Sequence, residues 1–116
     1  MKFGPYVRKA REKLKGGDRN YSLRQVAFRV GVEPAYLSKV ERSEVAPPSE
    51  GKIVRLAGVL GEDPDTLLAL AGKVSSDVME IIRRRPQLYG RLLRGLRGVP
   101  ERRLREMTAR AVRGSG

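Results

Sequence analysis

The chain has 116 residues, of which 40% are hydrophobic and 33% are charged, a balance typical of one compact domain with a short appendage. Its net charge of +12 exceeds what solubility requires and indicates a polyanionic partner, either nucleic acid or an anionic membrane surface. Cysteine and histidine are both absent, which excludes zinc fingers, disulfides, thiol nucleophiles and histidine-based acid–base catalysis.

The positive charge is unevenly distributed. Residues 1–20 carry seven Lys/Arg and two Asp/Glu, residues 21–75 carry seven of each, and residues 76–116 carry eleven Arg and four Asp/Glu. Two basic ends therefore flank a neutral middle. The first residues lack the apolar core of a signal peptide, and no apolar run approaches the roughly 20 residues that span a membrane, so we expect a cytoplasmic protein.

Apolar residues recur at helical spacing along the whole chain, which predicts an all-α fold. The first helix is predicted from Pro5 to Lys15, and the polar segment 16–20 after it is predicted to be a flexible loop. Ser22 is a natural N-cap for a second helix, and Gly31 ends it.

A third helix begins at Pro34, because a proline is tolerated in the first helical turn. Ser49 opens a fourth helix, whose inward residues are expected to be Ile53, Leu56, Ala57 and Leu60. A fifth helix starts at Asp63 and closes at Gly72.

The remaining pattern is also helical. A sixth helix is predicted after residue 75, and Pro86 either ends it or begins the next one. An apolar stripe follows, and after Pro100 a last helix carries apolar residues at spacings of three and four. Residues 114–116 are predicted to be a disordered tail.

Helices two and three are joined by a tight turn that contains glycine, which is the geometry of a helix-turn-helix. Ala27 is small enough for the helices to approach, Gly31 permits the turn, and Leu37 anchors the second helix. Other helix hairpins would satisfy this pattern, so the geometry alone is moderately specific.

Residues 5–72 also carry a dense run of ordered motifs. These are S-L-x-x-V-A from Ser22, G-V-x-x-x-Y-L-S-K-V-E-R from Gly31, L-A-x-x-L-G from Leu56 and D-x-L-L from Asp65. In these motifs the chain resembles the Xre family of phage-repressor-like regulators. The resemblance implies a five-helix helix-turn-helix DNA-binding domain, here residues 1–73, and a dimer on an inverted repeat.

The sequence departs from the family pattern at three points. The loop 16–20 is longer than usual, Ser43 stands where a glycine often ends the recognition helix, and Glu33 replaces the usual Ser or Thr at the helix start. A negative group at a helix N-terminus is favoured by the helix dipole, which gives Glu33 a structural role.

The resemblance implies that the helix after the turn lies in the major groove. The family's base-reading positions correspond to Pro34, Ala35, Ser38 and Lys39. Lys39 can donate to guanine, and Ser38 can pair with several bases. Pro34 and Ala35 can contact a thymine methyl. Alternatively, Pro34 only starts the helix and Lys39 is only solvated.

Phosphate contacts are expected around this helix. Arg42 is a candidate at its end, Arg24 is a candidate or a solvated side chain, and Tyr36 either donates to a phosphate or packs in the core. Possible further contacts to the DNA backbone come from polar groups elsewhere on the domain, although a solvated surface is the alternative: Lys13, Lys15, Arg19, Ser22 and Ser49.

In the family, the glutamate near the end of the recognition helix pairs with the second arginine of helix one. In this sequence the two residues are Glu41 and Arg11, so the resemblance implies a structural salt bridge between them.

The extension at residues 74–113 is predicted to be helical and to form a dimerisation module. Its apolar stripe would be a liability if it stayed exposed on a monomer, so we expect it to pack against the first domain or, preferably, against the same stripe of a second copy. Its arginines could also add non-specific affinity for DNA, whereas a membrane-surface helix is disfavoured because the stripe lacks Trp and Phe. The predicted dimerisation residues are Leu88, Leu92, Leu93, Leu96, Leu104 and Met107.

The sequence therefore predicts a homodimeric repressor or autoregulator that binds double-stranded DNA, without a catalytic constellation, cofactor, metal or membrane contact. One alternative is an antitoxin-like or accessory regulator whose C-terminal helices bind a protein partner. Another is a loosely specific DNA-compacting protein.

Overall fold

The computed structural model describes residues 1–115, which are helical throughout apart from short connections. They divide into two compact units, an N-terminal unit from Met1 to Ser75 and a C-terminal unit that begins at Ser76. The eight α-helices of this part of the chain are α1 (Phe3–Lys15), α2 (Leu23–Val30), α3 (Pro34–Glu41), α4 (Glu50–Leu60), α5 (Pro64–Leu70), α6 (Ser76–Arg84), α7 (Pro86–Gly95) and α8 (Glu101–Ser115).

The N-terminal unit has a single apolar core to which each of α1–α5 contributes. The core is almost wholly aliphatic, as the low aromatic content predicts, and the inward set predicted for α4 is buried in full. Its members are Phe3, Val7, Val26, Ala27, Val30, Leu37, Val40, Ile53, Leu56, Ala57, Leu60, Leu67 and Leu68.

Helix α1 begins at Phe3, two residues before the predicted start at Pro5. The helix extends because Phe3 and Gly4 are buried, and Pro5 lies in the first turn, where its missing N–H has no partner to lose. A Cβ at Gly4 would overlap the carbonyl oxygen of Val40 and lie 2.9 Å from that of Glu41. Glycine is therefore required where α1 passes the end of α3.

The segment predicted to be a flexible loop contains a 3-10 turn, Arg19–Tyr21. The Asp18 carboxylate accepts from the Asn20 N–H at 2.8 Å. From α2, Arg29 donates to the Asn20 carbonyl at 3.3 Å, and its guanidinium lies 5.2 Å from the centre of the Tyr21 ring. Residues 16–18 form a loop as predicted, whereas residues 19–21 form a 3-10 turn that a cap and a tertiary cation–π contact stabilise.

Helix α2 is capped at both ends, and its C-terminal cap forms the turn to α3. Ser22 caps α2 as predicted, since its hydroxyl accepts from the Gln25 N–H at 3.2 Å. Gly31 ends the helix in the left-handed conformation with φ +84°. From α4, the Lys52 ammonium donates to the carbonyls of Val30 and Gly31 at 3.4 and 3.2 Å, so a cation satisfies the C-terminus of α2.

Helix α3 ends in the same type of motif without a glycine. The N–H groups of Ser43 and Glu44 donate to the carbonyls of Val40 and Lys39 at 3.0 and 2.9 Å. This arrangement requires a left-handed residue after the helix, and Ser43 has φ +60°. In the described part of the chain it is the one non-glycine residue with positive φ.

The last two helices of the N-terminal unit are joined at Asp63, which caps α5 by accepting from the N–H groups of Asp65 and Thr66. Beside this cap, the Glu62 carboxylate accepts from the Tyr6 hydroxyl and raises the pKa of Tyr6, and desolvation acts in the same direction. Tyr6 and Glu62 line the same surface cavity, which places α1 beside the connection between α4 and α5.

The C-terminal unit consists of α6, α7 and α8. Pro86 begins α7 rather than ending α6, which decides between the two alternatives. Helix α8 continues to Ser115, beyond the predicted start of the disordered tail at residue 114, and Gly116 lies outside the described residues. From residue 76 to residue 114, no described side chain is buried.

Within residues 1–115, no helix combines the length and the apolar character needed to cross a membrane.

Candidate nucleic-acid interface

Helix α3 has an inner and an outer face. Leu37, Val40 and Glu41 are buried on the inner face. The outer face, defined here as Pro34, Ala35, Ser38 and Lys39, is the set of predicted base-contacting residues. Ala35 and Lys39 are exposed, whereas Pro34 and Ser38 are half-buried. Helical periodicity thus brings all four predicted residues to one side of α3.

The inner face is fixed by the Arg11–Glu41 pair that the family resemblance implied. The Arg11 Nε and Nη2 atoms donate to the two carboxylate oxygens of Glu41 at 2.7 and 2.9 Å, and both residues are about 95% buried, with exposed fractions of 5% and 4%. A third donor, Nη1, reaches the Tyr21 carbonyl at 3.3 Å. The hydrogen bond to Glu41 raises the pKa of Arg11, while burial acts in the opposite direction.

This pair explains how a carboxylate is accommodated so close to the outer face of α3. Glu41 is neutralised by a bidentate partner below the surface, so it presents no free negative charge to a phosphate. Together with the contact at Gly4, the pair fixes α3 against α1 at two points, which we call the two α1–α3 contacts.

Arg42, predicted as a phosphate contact, lies at the end of α3 and is already engaged. Its Nη1 donates to the Ser38 hydroxyl at 2.8 Å. Its Nε and Nη2 donate to the two oxygens of the Glu44 carboxylate at 3.2 and 3.0 Å. The sequence predicts a turn that begins at Glu44, but it did not identify Glu44 as a partner of Arg42.

The other residues predicted to contact phosphates differ in their exposure to solvent. Tyr36 is half-buried and packs against the core, whereas Arg24 is exposed near the start of α2. Ser22 uses its hydroxyl oxygen as a cap and keeps its O–H as a donor. The remaining side chains predicted to touch the DNA backbone are all exposed: Lys13, Lys15, Arg19 and Ser49.

An open surface cleft of about 750 Å³ is lined by exposed side chains of α1 and by residues at the end of α3. Two of its basic residues, Arg8 and Lys9, were not among the predicted contacts, although they precede Arg11 by one helical turn or less. The Arg8 guanidinium pairs with Glu12 at 3.1 Å. The cleft is lined by Pro5, Arg8, Lys9, Glu12, Lys13, Glu41 and Arg42.

In the C-terminal unit the predicted dimerisation residues are open to solvent. Leu88, Leu92, Leu93 and Met107 are between 41% and 60% exposed, and Leu96 and Leu104 are half-buried. No group of three or more Asp or Glu residues suited to a metal ion occurs among the residues that the structure describes.

Comparison with known proteins identifies the fold and the family. The family model described as Helix-turn-helix matches residues 7–67. A search of curated proteins found no match. Among solved structures, a chain of the SinR protein/SinI protein complex is similar with a TM-score of 0.50 and 24% sequence identity, over 98% of this chain and 99% of that chain.

The structural similarity extends along nearly the whole chain and shows a helix-turn-helix domain of five helices followed by a C-terminal helical extension. The family match spans more than half of the residues and includes α2, the turn and α3. The chain therefore belongs to the Xre-type helix-turn-helix family, and it is a DNA-binding transcription regulator.

Proposed function

We propose that the protein is a sequence-specific repressor or autoregulator that binds an inverted repeat as a homodimer, with α3 of each copy in the major groove. The observation that carries this proposal is the outer face of α3, whose four residues share one side of a helix fixed by the two α1–α3 contacts. A rigidly held helix meets base edges in a reproducible position, which sequence discrimination requires.

The chemistry of the outer face suits direct contact with bases. Lys39 is exposed and can donate to guanine O6 or N7. The Ser38 hydroxyl accepts from Arg42 and keeps its own O–H for a base acceptor. Pro34 and Ala35 supply apolar surface for a thymine methyl.

Affinity for the DNA backbone comes from residues beside this face. The basic residues of the α1 cleft lie beside the end of α3, and Arg24 is exposed near the start of α2. Phosphate contacts from such residues set the position of the protein on the duplex but carry no sequence information. In this proposal the basic residues outside α3 supply affinity for the DNA backbone, whereas α3, which has little net charge, supplies base contacts.

Homodimerisation is proposed through the C-terminal unit. Three amphipathic helices without a buried side chain between residues 76 and 114 expose apolar surface that another chain can cover. In α7, Leu88 and Leu92 are four residues apart and share one side of the helix, whereas Arg91 and Arg94 lie on the other side. The apolar side can therefore pair while the charged side stays in solvent. A second copy is the proposed occupant, since an inverted repeat requires two reading helices.

The test is selection of bound sequences from a random duplex pool, followed by measurement of the protein's mass on the selected duplex. We expect a palindrome with half-sites about 10 base pairs apart and two chains per duplex. We also expect the selected duplex to bind about 10³-fold or more tightly than random duplex.

Each alternative gives a distinct result in this experiment. Equal binding to selected and random duplexes at moderate salt would identify a DNA-compacting protein. A purified protein that stays monomeric, binds no palindrome, and dimerises only with a different chain would identify an accessory regulator with a protein partner at α6–α8.

A further inference from the structure

The outer face of α3 has few hydrogen-bonding groups for a sequence-specific regulator. Pro34 and Ala35 have no polar side-chain atom, so only Ser38 and Lys39 can bond a base from this face. Additional specificity requires another polar side chain on the same side of the helix.

Arg42 is such a side chain. It follows Ser38 by four residues, so the two lie on one stripe of the helix, and their hydrogen bond of 2.8 Å shows that they meet. The Arg42 side chain is 49% exposed, which leaves its guanidinium accessible to a duplex lying against α3.

Glu44 fixes the direction of that guanidinium. It accepts two hydrogen bonds from Arg42, and Ser38 accepts a third. A guanidinium has five N–H donors, so two remain for an external acceptor. A planar group held by three bonds presents these donors in one defined direction, which is the requirement for reading a base edge.

The turn after α3 brings Glu44 to this position. The left-handed Ser43 reverses the chain, and the Glu44 N–H is bonded to the Lys39 carbonyl at 2.9 Å. The carboxylate is therefore supported by a fixed backbone, although the Arg42–Glu44 pair itself lies at the surface.

The charge of this pair distinguishes a base contact from a phosphate contact. A phosphate is attracted by net positive charge, and the Arg42–Glu44 pair is neutral and places a carboxylate within reach of any phosphate that approaches. A guanine edge carries two neutral acceptors, O6 and N7, which a neutral pair with two free donors satisfies without that repulsion.

We propose that Arg42 donates to a guanine in each half-site and that Glu44 is the positioning residue that aims it. This inference rests on the proposed function, because it assumes that α3 lies in the major groove. It adds one specified base contact to the outer face and assigns Glu44 a role in specificity.

The experiment begins with the duplex that the wild-type protein selects. Each base pair of one half-site is then replaced in turn, and binding is measured for the wild type, Arg42→Met, Glu44→Gln and Glu44→Asp. We expect Arg42→Met to lose about 10- to 100-fold discrimination at one G·C pair and little at the others. Glu44→Gln loses part of the discrimination at that same pair, and Glu44→Asp restores some of it.

The matched control is Glu101→Gln, which removes the same charge from an exposed pair with Arg105 at 3.0 Å in the C-terminal unit. We expect it to leave discrimination at every base pair unchanged. Helix content measured by circular dichroism checks that each variant is folded, and both Arg42 and Glu44 are exposed enough for substitution to be tolerated.

Three results would overturn the inference, and they are distinguishable. Equal weakening of all duplexes by Arg42→Met, with a salt dependence shallower by about one logarithmic unit, would identify a phosphate contact and leave the proposed function intact. Unchanged discrimination in Glu44→Gln would remove the role of Glu44 alone. A wild type that selects no sequence would overturn the proposed function together with this inference.

Discussion

The two units of this protein differ in how they are held together. The N-terminal unit has thirteen buried apolar residues and a buried ion pair. The described part of the C-terminal unit has no buried side chain at all, although its helices are as amphipathic in pattern as α1 or α2. The same helical periodicity therefore leads to a finished core in one unit and to exposed apolar faces in the other.

The difference shows that an amphipathic pattern determines which side of a helix is apolar, but not which surface buries that side. In the N-terminal unit the inward apolar residues of α1–α5 are buried in one core within residues 1–75, so this unit carries its own hydrophobic stabilisation. In the C-terminal unit, under the proposed homodimer, the burial that offsets the entropy of ordering comes from a second copy. The N-terminal unit should respond to mutation by losing stability, and the C-terminal unit by losing association.

The largest expected effect is on the buried pair of the N-terminal unit. Arg11→Met leaves the Glu41 carboxylate without its partner in the interior, and breaking such a pair costs about 3–5 kcal/mol of unfolding free energy. Urea unfolding followed by circular dichroism measures the loss. The matched control is Arg8→Met, which breaks an exposed pair with Glu12 on the same helix and should cost less than about 1 kcal/mol. Equal losses in the two variants would contradict a structural role for Arg11.

The next effect compares one leucine from each unit. Leu68→Ala removes a side chain that is 1% exposed and should cost about 2–5 kcal/mol at any protein concentration. Leu92→Ala alters a side chain that is 48% exposed and should act mainly by weakening self-association.

Unfolding and sedimentation measured over a range of concentrations separate these two effects. For Leu92→Ala, any loss of stability should depend on concentration, because association is coupled to folding by mass action. If both variants lose stability by an amount that does not depend on protein concentration, the proposed difference between the two units is wrong.

The smallest effect is a gain in the N-terminal unit. Ser43→Gly relieves a left-handed conformation that costs an L-residue about 1–2 kcal/mol, offset in part by the greater freedom of glycine in the unfolded chain. We expect a net stabilisation of about 0.5–1 kcal/mol, measured by thermal unfolding. The control is Ser49→Gly at the start of α4, where φ is −62° and no strain is relieved, so stability should stay equal or fall slightly. If Ser49→Gly increases stability and Ser43→Gly does not, relief of the left-handed conformation is excluded as the cause.

Local signals in the sequence were sufficient for the helices and for the outer face of α3. Periodicity predicted the inward residues of α4, the Ser22 side chain predicted the start of α2, and Pro34 predicted the start of α3. Each of these depends on residues within about one turn of one another, so the sequence pattern contains the physical cause.

The features that were missed depend on partners distant in the chain. Lys52 caps α2 from 21 residues beyond Gly31, and Arg29 orders a turn nine residues before it. The two closest neighbours of a Cβ at Gly4 are carbonyl oxygens of α3, which every residue type has, so no residue type signals this contact. The Arg11–Glu41 pair spans 30 residues and was anticipated only because the family resemblance implied it.

The two α1–α3 contacts have a consequence for how this regulator can change. They position α3 through backbone carbonyls and one inward carboxylate, and neither involves the four outward residues. Under the proposed function, substitutions at residues 34, 35, 38 and 39 therefore change the recognised sequence without moving the helix that carries them. The residues that position α3 are thus different from the residues proposed to contact bases, so the proposal implies that single substitutions on the outer face give new operator specificities while the protein stays folded.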